Sequence, residues 1–440
     1  MFKILVINDS FPHNNNRTTI FFNNIIPHLS KLIEVKVYWL ITDDYGQRHN
    51  VMFPQYEYLF MSDFKNAMET CEKIKPDAIY HLIGWHIVDY SFVIAKKILK
   101  IPSFSIGEGY NENDDFDEDI DSKKTIISEY IRQFFETKSI QDQKDVKKSR
   151  GMNFIKKTLF LIKTIKIVNR SWVKTIPIMW EFLQSIRHQF KRGFDKFSKS
   201  GTDIIFAENM SQVESLVIGG IKRENIVIVG SPVFDNAFTK RKQLSKKINN
   251  KLNILFITAN ISGLQGKSKW TKSKRNQMAK ELADRFDNEP NTTLTIKIHP
   301  ISENYKEYEN ILKSFKNVNL SQIDDIVDLL EKSDIVITPC TSTAARIALL
   351  MKKPIIIWNH FQVMGDLFLS KGFALECKNK DEIEHCLDNV KEFTDQNKEK
   401  IDKFVKEEYG DGNATQRIVM EIEKWIKNIK KINKFNINKN

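Results

Sequence analysis

Lys297-Ile298-His299-Pro300 sets a cation and an imidazole at the end of an apolar run, and Thr341-Ser342-Thr343 sets three hydroxyls just beyond another. An imidazole can donate to a phosphate oxygen and stabilise a leaving group as its negative charge grows. The hydroxyls precede a helical run, where unpaired N–H groups at a helix N-terminus attract anions. Asn260 and Ser262, in the loop after a third apolar run (254–258), supply further donors, and Pro300 fixes the turn after His299. Together Asn260, Ser262, Lys297, His299, Pro300, Thr341, Ser342 and Thr343 read as a nucleotide-phosphate cradle.

The elements that must hold this cradle alternate strand and helix. Apolar runs at 254–258, 294–298, 318–320, Ile335–Thr338 and Ile355–Trp358 are separated by amphipathic stretches at 274–286, 305–315, 323–332 and 343–350. That rhythm predicts a doubly wound parallel sheet with ligands beyond the strand C-termini. A similar rhythm opens the chain, with strands at 3–8, Val35–Ile41, 78–83 and 102–106, and resumes at 203–207 and 226–229. The sequence therefore divides into a first Rossmann-like domain over 1–106 and 201–235, interrupted by 107–200, and a charged linker over 236–251. A second Rossmann-like domain follows over 252–409, then a C-terminal helix and basic tail over 410–440. Neither G-x-G-x-x-G nor G-x-x-x-x-G-K-[ST] occurs, which argues against an ordinary dinucleotide dehydrogenase or P-loop NTPase.

With 440 residues and 41% hydrophobic content, the chain can build two or three cores. No apolar run approaches the ~18 residues of a membrane-spanning helix, and the N-terminus lacks the order of a signal peptide. Cys71, Cys340, Cys377 and Cys386 are scattered with no metal-ligand spacing, so a reduced, cytoplasmic protein without a metal or resident cofactor is expected. The net charge of +12 is local: residues 142–199 carry 15 Lys and Arg against four acidic residues, and an acidic stretch from Glu108 to Asp121 lies before them. On a helix over 154–174, Lys156, Lys163, Lys166, Arg170 and Lys174 share one face, opposite Phe154, Leu161, Ile165, Val168 and Trp172. Such a helix suits either an anionic membrane surface or packing on the protein itself. No nucleic-acid module is recognisable, so nucleic acid is not an expected partner.

Two Rossmann-like domains, the Gly-Ser-Pro-Val-Phe-Asp segment at 230–235, His299-Pro300 and the hydroxyl loop before Lys353-Pro354 resemble a GT-B-fold glycosyltransferase, whose two domains face a cleft. More narrowly, His299-Pro300 and Ser342-Thr343 resemble motifs of bacterial sialyltransferases, polysialyltransferases and CDP-glycerol glycerophosphotransferases. That resemblance implies an inverting, metal-independent enzyme using a CMP- or CDP-activated donor, with a carboxylate of the first domain as general base. Gly107-Glu108-Gly109 stands where those families carry a D/E-D/E-G motif, which makes Glu108 the implied base; Gly107 departs from the pattern. Asp9, His13 and His86, also after strands of the first domain, are alternative bases or acceptor-side residues.

The segment from Tyr409 to Ile418, YGDGNATQRI, also resembles the C-terminal segment of UDP-N-acetylglucosamine 2-epimerases. Those enzymes carry Thr-x-His-Arg after the second domain's first strand and Gly-Gly-x-x-Glu-Glu at the hydroxyl loop. Here the two places read Thr258-Ala259-Asn260-Ile261-Ser262 and Thr338-Pro339-Cys340-Thr341-Ser342-Thr343. The acidic E-x7-E of many retaining glycosyltransferases is missing as well. The expected function is therefore an inverting glycosyltransferase acting on a surface glycan or lipid-linked acceptor at the inner face of the membrane. A CDP-glycerol-type phosphotransferase, an epimerase-like enzyme and a non-catalytic nucleotide-sugar or lipid-binding protein are the alternatives.

Overall fold

The computed structural model describes residues 1–8, 11–12, 17–42, 53–81, 87–107, 145–168, 180, 201–218, 221–243, 251–258, 272–299, 303–360 and 366–437. They fall into two compact units, one running to Val233 and resuming at Asn413, the other spanning Phe234–Gly412.

The first unit contains, in chain order, β1 (Phe2–Asn8), α1 (Arg17–Leu29), β2 (Val35–Ile41), β3 (Tyr56–Phe60), α2 (Ala67–Ile74), β4 (Ala78–Tyr80) and α3 (Ile87–Leu99). After these come β5 (Ser103–Ile106), α4 (Asp145–Val168), β6 (Ile204–Ala207), α5 (Met210–Ile218), β7 (Ile226–Ile228) and α6 (Pro232–Gln243), which runs on into the second unit. Seven parallel strands lie in the order β3-β2-β1-β4-β5-β6-β7. Strand β1 is apolar almost throughout because both of its faces are covered. Ile4 and Val6 meet an aromatic cluster that includes Phe21, Phe22, Tyr80 and Phe104, while Leu5 and Ile7 pack with Val88 and Phe92 on the other face.

Helix α4 packs its apolar side on the fold. Leu161 and Ile165 are buried with Ile87, Tyr90, Val93 and Ile94 of α3, and the Thr164 hydroxyl accepts from Ala67 N–H at 3.1 Å. Lys156, Lys163 and Lys166 stay exposed. Of the two roles open to this helix, these contacts support packing on the protein: Leu161, Ile165 and Val168 cover α3. The Phe154 side chain, Arg170, Trp172 and Lys174 lie outside the described residues. Among the described residues no helix is long and apolar enough to cross a membrane.

The second unit comprises β8 (Leu252–Ile257), α7 (Lys272–Phe286), β9 (Thr292–Lys297), α8 (Tyr305–Leu312), β10 (Val318–Ser321), α9 (Ile326–Lys332) and β11 (Ile335–Thr338). It continues with α10 (Thr343–Leu350), β12 (Ile355–Trp358), α11 (Leu367–Lys371), β13 (Leu375–Cys377), α12 (Ile383–Gln396) and α13 (Lys398–Glu408). Its six parallel strands run β10-β9-β8-β11-β12-β13, with β8 flanked by β9 and β11. The segment 236–251, a linker by composition, starts inside α6. There Lys240 pairs with Glu331 at 2.8 Å and Arg241 with Asp402 at 2.7 Å.

The chain leaves the second unit at Gly412, whose φ of 83° favours glycine and whose added Cβ would lie 2.4 Å from Phe238 Cβ. Helix α14 (Ala414–Ile437) then returns to the first unit. Ile418, Val419, Ile422 and Ile426 join its aromatic core, and Trp425 meets Phe104 edge-on at 5.9 Å. Both units are thus Rossmann-like parallel α/β domains of the GT-B type.

Candidate functional site

In a parallel sheet every strand delivers its C-terminal residues to one edge. In the second unit, neighbouring strands β9, β8 and β11 bring Lys297 and His299, Thr258, and Thr338 to that edge. His299 is held by its backbone. Its N–H donates to Thr258 Oγ1 and to Glu303 Oε2, both at 2.9 Å, and its carbonyl accepts from Gln322 Nε2 at 3.3 Å.

Glu303 is a buried carboxylate, with its side chain 1% exposed; Arg275, 3% exposed, stands 3.6 Å from Oε1. The Arg275 guanidinium also pairs with Glu307 at 3.1 Å and lies over the Tyr308 ring. Burial pushes the Glu303 acid upward; hydrogen bonds from Thr258 and His299 N–H, and the charge of Arg275, oppose that rise. Lys297 donates its ammonium to the Gln322 carbonyl. Its pKa falls through burial, against the pull of Asp324 and Asp325. Lys297 is therefore an anchor for the loop after β10 as well as a local positive charge.

The hydroxyls beyond β11 have structural partners. Thr341 donates through its N–H at 2.6 Å and its hydroxyl at 2.8 Å to Asp366, the residue that caps α11. Ser342 caps α10, accepting from Ala345 N–H at 3.2 Å. Thr343 is exposed in the first turn of α10. The anion-binding capacity of this loop thus rests on the α10 N-terminus and Thr343 more than on Thr341, whose donors Asp366 takes.

Asn260, Ser262 and Pro300 lie outside the described residues, as do Glu108, Asp9, His13 and His86 in the first unit. The residue before Glu108 is tightly fixed. Gly107 N–H donates to Phe206 O at 2.7 Å, and its carbonyl accepts from Gln212 Nε2. Gln212 Oε1 in turn accepts from Glu208 N–H at 2.6 Å. A Cβ on residue 107 would lie 2.3 Å from Gln212 Oε1, so a carboxylate at the first acidic position would collide with this side chain. Among the described residues no group of three or more His, Cys, Asp or Glu side chains could hold a metal ion.

Glu303, Arg275, Gln322 and Asp366 escaped sequence reasoning. Glu303 follows His299 by four residues, but its role depends on Thr258 and Arg275, distant in sequence. Asp366 stands just before an apolar run, Leu367–Leu369, and the N-cap pattern was the available signal.

A family model described as UDP-N-acetylglucosamine 2-epimerase matches residues 196–423. No curated protein matches the chain. Among solved structures, UDP-GlcNAc 2-epimerase from Neisseria meningitidis bound to UDP-GlcNAc is 14% identical, over 96% of this chain and 100% of that one, with a TM-score of 0.53. The S. aureus MnaA–UDP structure is 14% identical over 97% of both chains, with a TM-score of 0.52. The wall teichoic acid polymerase TagF is 13% identical over 97% of this chain and 89% of that one, with a TM-score of 0.53. At such identities these structures show the shared GT-B-like fold. The family match overturns the expectation of an inverting glycosyltransferase, and the narrower sialyltransferase resemblance finds no counterpart among these similarities. Since the match covers more than half of its length, this chain belongs to the UDP-N-acetylglucosamine 2-epimerase family.

Proposed function

We propose that this protein binds UDP-N-acetylglucosamine, or a close UDP-linked sugar, and inverts the sugar at C2. The family match, which spans Phe234–Gly412 of the second unit and the first turns of the helix that returns from it, carries this reading. The edge at His299 and the α10 N-terminus suits a diphosphate: an imidazole on a fixed backbone and a helix dipole both favour negative charge there. Lys297 adds positive charge nearby, and Asn260, Ser262, Pro300 and Thr343 complete the nucleotide side. The acid–base groups come from the loops after the first unit's strands, where Asp9, His13, His86 and Glu108 are the candidates. Neither a resident cofactor nor a metal is required, and a cytoplasmic setting, where nucleotide sugars are made and used, fits this chemistry.

Calorimetric titration with UDP, CDP and UDP-GlcNAc, followed by proton NMR of UDP-GlcNAc with the protein in D2O, tests the proposal. Inversion at C2 breaks a C–H bond, so deuterium should enter C2 as the 2-epimer accumulates. Binding of UDP with neither epimer nor deuterium would convert the reading to a nucleotide-sugar-binding protein. Tighter binding of CDP than UDP, or binding of neither, would overturn it.

A further inference from the structure

We infer that Glu303, buried with Arg275 beneath the sheet edge, is the positioning residue that fixes His299 for the nucleotide diphosphate. The diphosphate as ligand rests on the function proposed above; the positioning stands on geometry alone. Beyond the end of β9, side chains hold the His299 backbone. Here the His299 N–H is shared between Glu303 Oε2 and Thr258 Oγ1, both at 2.9 Å. Gln322 Nε2 closes the other side, donating to His299 O at 3.3 Å and to Glu303 O at 2.9 Å. His299 and Glu303 are therefore tied to each other and to Gln322, the Glu303 carboxyl accepting from the His299 amide.

Keeping a carboxyl group 1% exposed is unfavourable unless its oxygens are hydrogen-bonded and any charge is paired. Arg275 partly compensates at 3.6 Å, held over Tyr308 and against Glu307. An apolar residue would pack this site at less cost, but could not accept the His299 N–H. What the carboxyl oxygen adds is a directed acceptor, so this buried residue serves the orientation of His299.

Two measurements decide the matter. The first is the Cε1–H resonance of His299 in protein labelled at its nine histidines, assigned with His299→Ala. Glu303→Ala should shift or broaden that resonance, while Glu303→Gln, which keeps an oxygen acceptor, should restore it. Thr258→Val, which removes the other acceptor, should perturb the same resonance and serves if Glu303→Ala does not fold. The second is the affinity for UDP against uridine. Glu303→Ala should weaken UDP at least ten-fold and uridine less than two-fold, and in the His299→Ala background it should change UDP affinity less than two-fold. A His299 resonance indifferent to both Glu303→Ala and Thr258→Val would overturn the inference, as would a full additional loss of UDP affinity in the double variant. If the wild-type protein binds no UDP, the proposed function falls, while the resonance still decides the role of Glu303.

Discussion

His81 follows β4 with no exposed surface, and its Nδ1 lies 3.9 Å from Asp89 Oδ1, too far for a hydrogen bond. Neither ring nitrogen has a hydrogen-bond partner among the described residues. Burial, with a smaller repulsion from Lys96, lowers its pKa to about 3, against about 6.5 in an unfolded chain. Stability from keeping this ring neutral is complete above pH ~6.5. As pH falls from about 6.5 toward about 3, the unfolded chain binds a proton that the folded chain refuses, and stability is lost. Between pH 7 and pH 5 the loss from this one group is about 2 kcal/mol. Urea unfolding of the first unit at both pH values, in the wild-type protein and in His81→Leu, measures it. The wild-type protein should lose about 2 kcal/mol more than the variant on acidification. An equal loss in both would refute the reasoning. So would a wild-type protein that gains stability on acidification, which would mean that Asp89 holds the ring protonated.

Two further perturbations follow from the packing. Asp366→Ala removes the acceptor of Thr341 N–H, of the Thr341 hydroxyl and of Phe368 N–H; losing the cap and stranding those donors should cost the second unit about 3 kcal/mol in urea unfolding. A change below about 0.5 kcal/mol would show that the hydroxyl loop holds its shape without Asp366. Leu161→Ala, at a fully buried site between α4 and α3, should cost about 3 kcal/mol. Combined Gln substitutions at exposed Lys156, Lys163 and Lys166 should leave stability within about 0.5 kcal/mol. Flotation should recover the wild-type protein equally with neutral and anionic vesicles; enrichment on anionic vesicles that the triple Gln variant abolishes would return the membrane role to this helix.

The central strands were legible because burial on both faces makes them near-continuous apolar runs: β1 as FKILVIN and β12 as IIIW could hardly be anything else. The edge strands β3 and β13 were not. Tyr56–Phe60 places a glutamate between two tyrosines, and Leu375–Cys377 is three residues with a central glutamate. Such short, mixed segments are strands only because β2 and β12 offer them a ladder. The same division runs through the candidate site. Lys297 and His299 could be placed at a sheet edge because β9 predicts its own end. Arg275, Glu303 and Thr258 come from a helix, a loop and another strand, and no local pattern says that they meet.

Short motifs and long-range pattern also pointed to different families, and their physical content explains which carried more weight. The Ser342-Thr343 pair suggested sialyltransferase-like motifs, yet Ser342 caps a helix and its neighbour Thr341 bonds the cap of the next one. Any strand–loop–helix turn selects such residues for local reasons, so their recurrence says little about the sugar or the nucleotide. The segment from Tyr409 to Ile418 is constrained otherwise. Gly412 is pressed against Phe238, Arg417 Nε donates to Val229 O at 2.8 Å, and Ile418 enters the core of the first unit. Gly412 is thus fixed within the second unit and the returning helix is tied to the end of β7 in the first, and random capping chemistry would not reproduce these contacts together. The likeness to the epimerase C-terminal segment is therefore the more informative of the two.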